Sequence, residues 1–314
     1  MTNLKSNLIT ISAFAPATCA NVAVGFDLLG FAIAGVGDVV TLTRRNDEHI
    51  LISEIISDEP LPMDPDKNTA SAVVKYFCQD LNIKAGFDIK IKKGLALGCG
   101  MGGSAASSVA ALVAVNAYLA QPLTAPQLVK YALHGEHVAV GTAHSDNVIP
   151  CLYGGITLTQ SLSPLRVLEL PIPDVVAVIV HPHTRLDTKE SRSVLPREIL
   201  LTDHIKQSAY LAGFIAALYE KDLDLLQASL QDCLVEPKRA PLIPGFYAVK
   251  QAALNHGALG ASLSGSGPSV FAFAKNQSEA LGIASAMQQA FSQHQLQSDV
   301  YVSLISTQGA HVVA

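Results

Sequence analysis

The spacing of apolar residues changes several times along the chain, and each change predicts a different element. Residues 7 to 14 (NLITISAF) and 37 to 43 (GDVVTLT) alternate as half-buried strands do, as do residues 50 to 56 and 87 to 92 (FDIKIK). Over 69 to 82 (TASAVVKYFCQDLN) the period becomes helical, with Thr69 placed as the N-cap. Residues 104 to 120 (SAASSVAALVAVNAYLA) are apolar on nearly every side, which predicts a buried helix with small faces that permit close packing. From 160 to 173 (QSLSPLRVLELPIP) the period lapses and three prolines appear, so a lobe boundary is placed between 165 and 166. Beyond it, VVAVIV (175 to 180) reads as a buried strand. Helices are expected at 203 to 221, 223 to 234, 244 to 256 and 278 to 293, with late strands at 268 to 275 (PSVFAFAK) and 299 to 306 (DVYVSLIS). The alternation is that of an α/β protein.

At 314 residues, with 49% hydrophobic and 15% charged side chains, the chain can bury two sizeable lobes. A net charge of −5 without a basic run argues against a nucleic-acid partner. The uncharged stretch between Lys93 and Lys130 raises a membrane reading. Its Gly- and Ser-rich first half, Asn116, and the breakers Pro122 and Pro126 favour a buried soluble helix instead. Five scattered cysteines with no C-x-x-C pair signal neither a disulfide framework nor a zinc site. With no signal peptide discerned at the N-terminus, a cytoplasmic protein acting on a small soluble molecule is expected. The H-x-H at 181 to 183 reads as a strand end and not as a metal site.

The chemistry centres on GCGMGGSAAS (98 to 107). Its G-x-G-x-x-G spacing fits a dinucleotide turn, but that turn needs an acid about 20 residues on. No Asp or Glu occurs between Asp88 and Glu136. Gly98 and Gly103 also have the spacing of a P-loop, with Ser104 where the lysine should stand. A glycine loop feeding a helix binds phosphate through free N–H groups and the helix dipole even without that lysine. For this run alone, a tight turn that serves close packing is the competing account.

Three stretches together resemble the GHMP kinase family, in its order and spacing. These are APATCANVAVGFDLLGFAI (15 to 33), LALGCGMGGSAAS (95 to 107) and LSGSGPSVFAF (263 to 273). N-x-x-x-G-F-D at 21 to 27, H-S-D-N-V-I-P at 144 to 150 and E-P-K-R at 236 to 239 resemble the branch whose acceptor is L-homoserine. The resemblance implies a two-lobed α+β fold. An N-terminal S5-like α/β lobe (1–165) would bind ATP, and a C-terminal ferredoxin-like α/β lobe (166–314) would contribute substrate residues. The implied activity is ATP- and Mg2+-dependent phosphorylation of the side-chain hydroxyl of L-homoserine, a step towards threonine. Homodimers are common among such relatives.

The resemblance also assigns residues. Ala96, Leu97, Gly98, Cys99, Gly100, Met101, Gly102, Gly103, Ser104, Ala105 and Ala106 would form the ATP phosphate loop, with Asn68 near the adenine. Ser104 and Glu136 would hold Mg2+, whose preference is for hard oxygen ligands. Thr188 would lie near the transferred phosphate. Homoserine, a zwitterion with a hydroxyl, needs an acceptor for its ammonium and a cation for its carboxylate. Asp27 and Asn21 match the first need, Arg192 and Arg239 the second through paired hydrogen bonds. His144 and Asn147 match further substrate contacts. Without the resemblance, each arginine would read as a surface ion pair. For Asp27 a turn cap is only the competing account, and for Glu136 so is an ordinary helix-surface residue. That account fits poorly with the place of Glu136 as the first acid after a long uncharged stretch.

Two positions depart from the family pattern: Gly103 replaces the first serine of Gly-Ser-Ser, and Ala96 replaces the preceding proline. Gly103 keeps its N–H but loses a hydroxyl contact. Some relatives use an aspartate base where Asp146 stands. Because phosphoryl transfer relies chiefly on positioning and charge neutralisation, Asp146 is expected to be mainly structural. Other readings are a different GHMP kinase using mevalonate or a sugar, a catalytically silent sensor, and, more distantly, a dehydrogenase.

Overall fold

The computed structural model describes residues 4, 5, 8–141 and 144–313; the expected start of the first strand at Asn7 lies outside them. Alternating side chains in the first third form β1 (Thr10–Ala20), β2 (Leu29–Arg44), β3 (Ile50–Ile56) and β4 (Phe87–Lys92), with α1 (Thr69–Asp80) between the last two. The first two strands extend well beyond the period-2 segments, because their inner ends are buried on both faces and no longer alternate. Asn68, not Thr69, caps α1: its extended backbone lets the side chain accept from the Ala70 N–H.

After β4 come α2 (Gly103–Ala117), α3 (Ala125–Val140) and α4 (Ser145–Tyr153), then a hairpin of β5 (Ile156–Leu162) and β6 (Leu165–Leu170). The sheet runs β11-β1-β2-β4-β3, with β5 also on β2 and β6 on β5; β11 (His311–Val313) pairs antiparallel with β1. Sheet membership therefore crosses the expected boundary at residue 165 and returns at the far end of the chain. The prolines that suggested irregular structure stand outside the strands, at the hairpin turn (Pro164) and after β6 (Pro171, Pro173). As its composition predicts, α2 is buried; it packs on β1 and β2.

The second sheet, β10-β7-β9-β8, comprises β7 (Val176–Pro182), β8 (Gly260–Leu263), β9 (Val270–Ala274) and β10 (Ser298–Ser303). Around it lie α5 (Thr188–Ser193), α6 (Leu201–Glu220), α7 (Leu223–Ser229), α8 (Glu236–Arg239), α9 (Phe246–Asn255) and α10 (Gln277–Gln293). Helix α7 stops short of residue 234, because the Asp232 carboxylate takes the N–H groups of Leu234, Val235 and Glu236 instead. Alternate residues of β7 serve two cores. Ala177 and Ile179 face the core shared with the first sheet, whereas Val176, Val178 and Val180 face α9 and α10. Phe31 of β2 meets Phe271 and Phe273 of β9 at centroid distances of 6.1 and 5.3 Å. One apolar core thus joins the two lobes.

Helix α4 sits unusually close to β2. Pro150 has no N–H for the Asp146 carbonyl four residues earlier, so that oxygen faces the sheet. A β-carbon on Gly30 would come within 1.9 Å of it. Gly30→Ala is expected to force α4 off the sheet and lower stability by about 1–3 kcal/mol, an overpacking cost. Urea unfolding followed by circular dichroism measures this, and an unchanged midpoint would contradict the packing argument.

Candidate active site

Between the two lobes lies a cavity of about 410 Å³, and the glycine loop is its floor. Gly98, Gly100 and Gly102 have φ values of +64°, +76° and +68°, a left-handed backbone open chiefly to glycine. The loop carbonyls are pinned from outside the cavity. Ser269 Oγ donates to Cys99 O (2.6 Å), Ser264 Oγ to Gly100 O (2.8 Å), and Thr18 N to Met101 O (3.0 Å). The trans peptide places each N–H opposite its carbonyl, so pinning the Cys99 carbonyl turns the Gly100 N–H the other way. Ala96, Leu97, Gly98, Cys99, Gly100, Gly102, Gly103 and Ser104 line the cavity. Met101, Ala105 and Ala106 lie beneath it, buried in the core, and contribute through the backbone they hold.

Ser104, in the first turn of α2, donates to Glu136 Oε2 at 2.7 Å. Glu136 is only 4% exposed, so the competing account of it as an ordinary helix-surface residue does not hold. Its neighbour Gly135 explains the approach: a β-carbon there would meet Ser108 Oγ of α2 at 2.0 Å. His144 Nδ1 lies 3.6 Å from the other Glu136 oxygen. At the start of α4, Asn147 Oδ1 accepts from Thr18 Oγ1 at 2.7 Å. Beside it Asp146 is buried, and its Oδ1 has no hydrogen-bond partner among the described residues. Burial, reinforced by the Asp27 charge and opposed by His144 and Arg192, pushes its carboxyl up to about 7.

Asn21, Val22 and Ala23 form a turn of left-handed backbone with φ values of 70°, 47° and 59°, and Asp27 repeats it at 59°. Such geometry costs about 1–2 kcal/mol per residue and is kept only where surroundings impose it. Asn21 imposes it from both ends, since its Nδ2 donates to Gly265 O (2.9 Å) and its Oδ1 accepts from Asp27 N (3.1 Å). Asp27 Oδ1 receives Arg192 Nη2 at 2.6 Å, and Arg192 Nε meets His144 Nε2 at 3.2 Å. Arg239 is buried, donating to Ser191 O and Gly265 O at 3.1 Å each. Its pKa is lowered to about 10, first by burial and then by Arg192, so it stays charged at neutral pH. Both guanidinium groups lie over the Phe26 ring, at 5.4 and 5.1 Å. Asn68 and Thr188 also face the cavity, although the Asn68 side chain is already occupied as a cap and by Pro62 O (3.1 Å).

Several residues here escaped sequence reading. Lys93 is buried against Asp38 and donates to Gly103 O (2.7 Å) and Ser107 Oγ (3.0 Å), which ties the start of α2 to β2. The available signal was its place as the last charge before the long uncharged stretch. Thr18, Phe26, Ser264 and Ser269 lie inside quoted motifs but show no sign of their roles without the fold.

The chain matches the family model for the GHMP kinases N terminal domain over residues 68–155 and that for the GHMP kinases C terminal domain over 214–293. It is 46% identical to a homoserine kinase of Chlorobaculum tepidum, covering 97% of this chain and 98% of that one. A homoserine kinase of Xylella fastidiosa is 45% identical, with 96% and 93% covered. The crystal structure of homoserine kinase from Cytophaga hutchinsonii superposes with a TM-score of 0.95 at 44% identity, over 99% of both chains.

Ser269 Oγ also lies 3.2 Å from His181 Nδ1. Its one proton goes to Cys99 O, so it accepts from the His181 ring, which fixes the tautomer. Burial, the largest influence, lowers the His181 pKa from 6.5 to about 4. The unfolded chain protonates this residue first, so its contribution is complete above pH 6.5 and falls as pH drops towards 4. Asp146, with its raised pKa, has the opposite sign. His181→Gln is therefore expected to flatten the loss of urea midpoint between pH 6.5 and 4, and an unchanged slope would refute it.

Proposed function

The chain belongs to the GHMP kinase family, within its homoserine kinases, and on that premise we propose how the residues of this cleft carry out the reaction. The activity is ATP-dependent phosphorylation of the L-homoserine side-chain hydroxyl to O-phospho-L-homoserine, in threonine biosynthesis. One observation carries the assignment of roles: the Ser104–Glu136 pair and the Asp27–Arg192 pair open into the same cavity as the glycine loop.

The loop N–H groups and the N-terminus of α2 receive the phosphates, where oriented amides and the helix dipole favour negative charge. Ser104 and Glu136 suit Mg2+: a hydroxyl and a buried carboxylate are hard donors already pointing together. Two protein ligands are enough where phosphate and water complete the coordination. When bound, the ion supplies charge neutralisation between the phosphates. Asn68 and Thr188 flank the nucleotide, at its base and at its transferred phosphate.

Homoserine binds by splitting the Asp27–Arg192 pair, its ammonium taking Asp27 and its carboxylate Arg192. Arg239, charged and fixed by two carbonyls, adds attraction for the carboxylate, and Asn21 holds Asp27 in place. His144 orients Arg192. Thr18 fixes the Asn147 amide, which faces the substrate hydroxyl. Asp146, buried in the first turn of α4, is not the base that removes the substrate proton. Free thiols at Cys19, Cys78, Cys99, Cys151 and Cys233 support a cytoplasmic setting, and the family supports a homodimer.

The substrate test is ADP release over a panel of homoserine, mevalonate and galactose. Turnover that depends on homoserine alone is expected, and none with homoserine would defeat the reading. The residue test contrasts two variants. Glu136→Gln should depress kcat by about a hundredfold or more, as loss of a preorganised electrostatic group does. Asp146→Asn should cost less than about a thousandfold, whereas a larger loss with the fold intact would make it the base.

A further inference from the structure

A triphosphate carries several negative charges, yet Ser104 stands where a P-loop would place its lysine. Most cations near the loop are already engaged. Lys93 is buried against Asp38, Arg192 is paired with Asp27 and Arg239 is held by two carbonyls, whereas Lys67 stands exposed in a surface pair with Asp64 at 3.5 Å and has no contact with the loop glycines.

Arg185 differs. It lies in the connection from β7 to α5, where the next residue, Leu186, is buried in the second core and anchors the backbone. From that anchor the side chain crosses Gly98: a β-carbon there would stand 2.7 Å from Arg185 Cγ and 3.3 Å from its Nε. Its ion-pair partner is Glu59, with Nη1 4.0 Å from Oε2 and the arginine side chain 63% exposed. An exposed pair at that separation holds weakly and exchanges readily. Glu59 belongs to the segment whose Leu61 and Pro62 line the same cavity as Arg185, Gly98 and Asn68. The two residues therefore meet at the rim of the cleft, beside the glycine loop.

We infer that Arg185 is a phosphate-binding residue of this kinase, exchanging Glu59 for the phosphate chain of ATP. This rests on the kinase reading above. The guanidinium fork matches phosphate oxygens and adds positive charge where the loop has only amides. It also gives Gly98 a second function, since any side chain there would lift Arg185 from the loop.

Steady-state kinetics of the full chain tests this. Homoserine-dependent ADP release by the unmodified enzyme comes first, and its absence would strike the kinase reading and not this residue. Given that activity, Arg185→Gln should raise KM for ATP about tenfold or more, as loss of a charge-assisted hydrogen bond does, with KM for homoserine changed less than about twofold. Arg185→Lys should recover part of the loss. Glu59→Gln should move KM for ATP the other way, down by a factor of about two to three, as removal of a weak competitor predicts. Lys189→Gln, on the same rim but without contact to the loop, should leave it unchanged. A wild-type KM for ATP in Arg185→Gln would overturn the inference. So would equal losses in the Arg185 and Lys189 variants, which would point to a diffuse field.

Discussion

The glycine loop can present its amides only while its carbonyls are held elsewhere, and the second lobe does the holding. Ser264 and Ser269 belong to one short segment, and they take two consecutive loop carbonyls, Gly100 and Cys99. Thr18 adds a third contact from β1 to Met101. A flexible Gly-rich stretch is thereby fixed without any side chain of its own, which matters because glycine loses the most freedom on ordering. The same anchoring sets where α2 begins and therefore where Ser104 points. The same segment also positions two cavity side chains, since Gly265 accepts from both Asn21 and Arg239.

The shared core limits what can move. Phe31, Phe271 and Phe273 interlock across the lobes, so the halves form one packed body and not two domains on a hinge. The left-handed turn at Asn21–Ala23 belongs to this body. Its conformational cost is met by the hydrogen bonds at its ends, and the result is a carboxylate held beside a guanidinium in the cavity.

Much of this was legible in the sequence where local pattern and burial agree. β3 and β4 fall where alternation places them, and α2 and β7 are apolar on all sides because they are buried on all sides. The β5–β6 hairpin was obscured by prolines that sit beside its strands, and α4 and α5 are too short to establish a period. At α1 two capping residues are adjacent, and only backbone geometry selects Asn68. Motif spacing drew attention to Asp27, Glu136 and Arg192, but not to the partners that aim them. Thr18, Lys93 and Ser269 act through contacts with residues far away in sequence, which no local window contains.

The short strand β11 gives β1 its outer neighbour, so the last described residues complete a sheet begun by the first. During synthesis on the ribosome, that edge of β1 stays unpaired until nearly all the intervening chain has emerged. An open strand edge invites pairing with other chains, and a nascent polypeptide in this condition depends on chaperones or on rapid later folding.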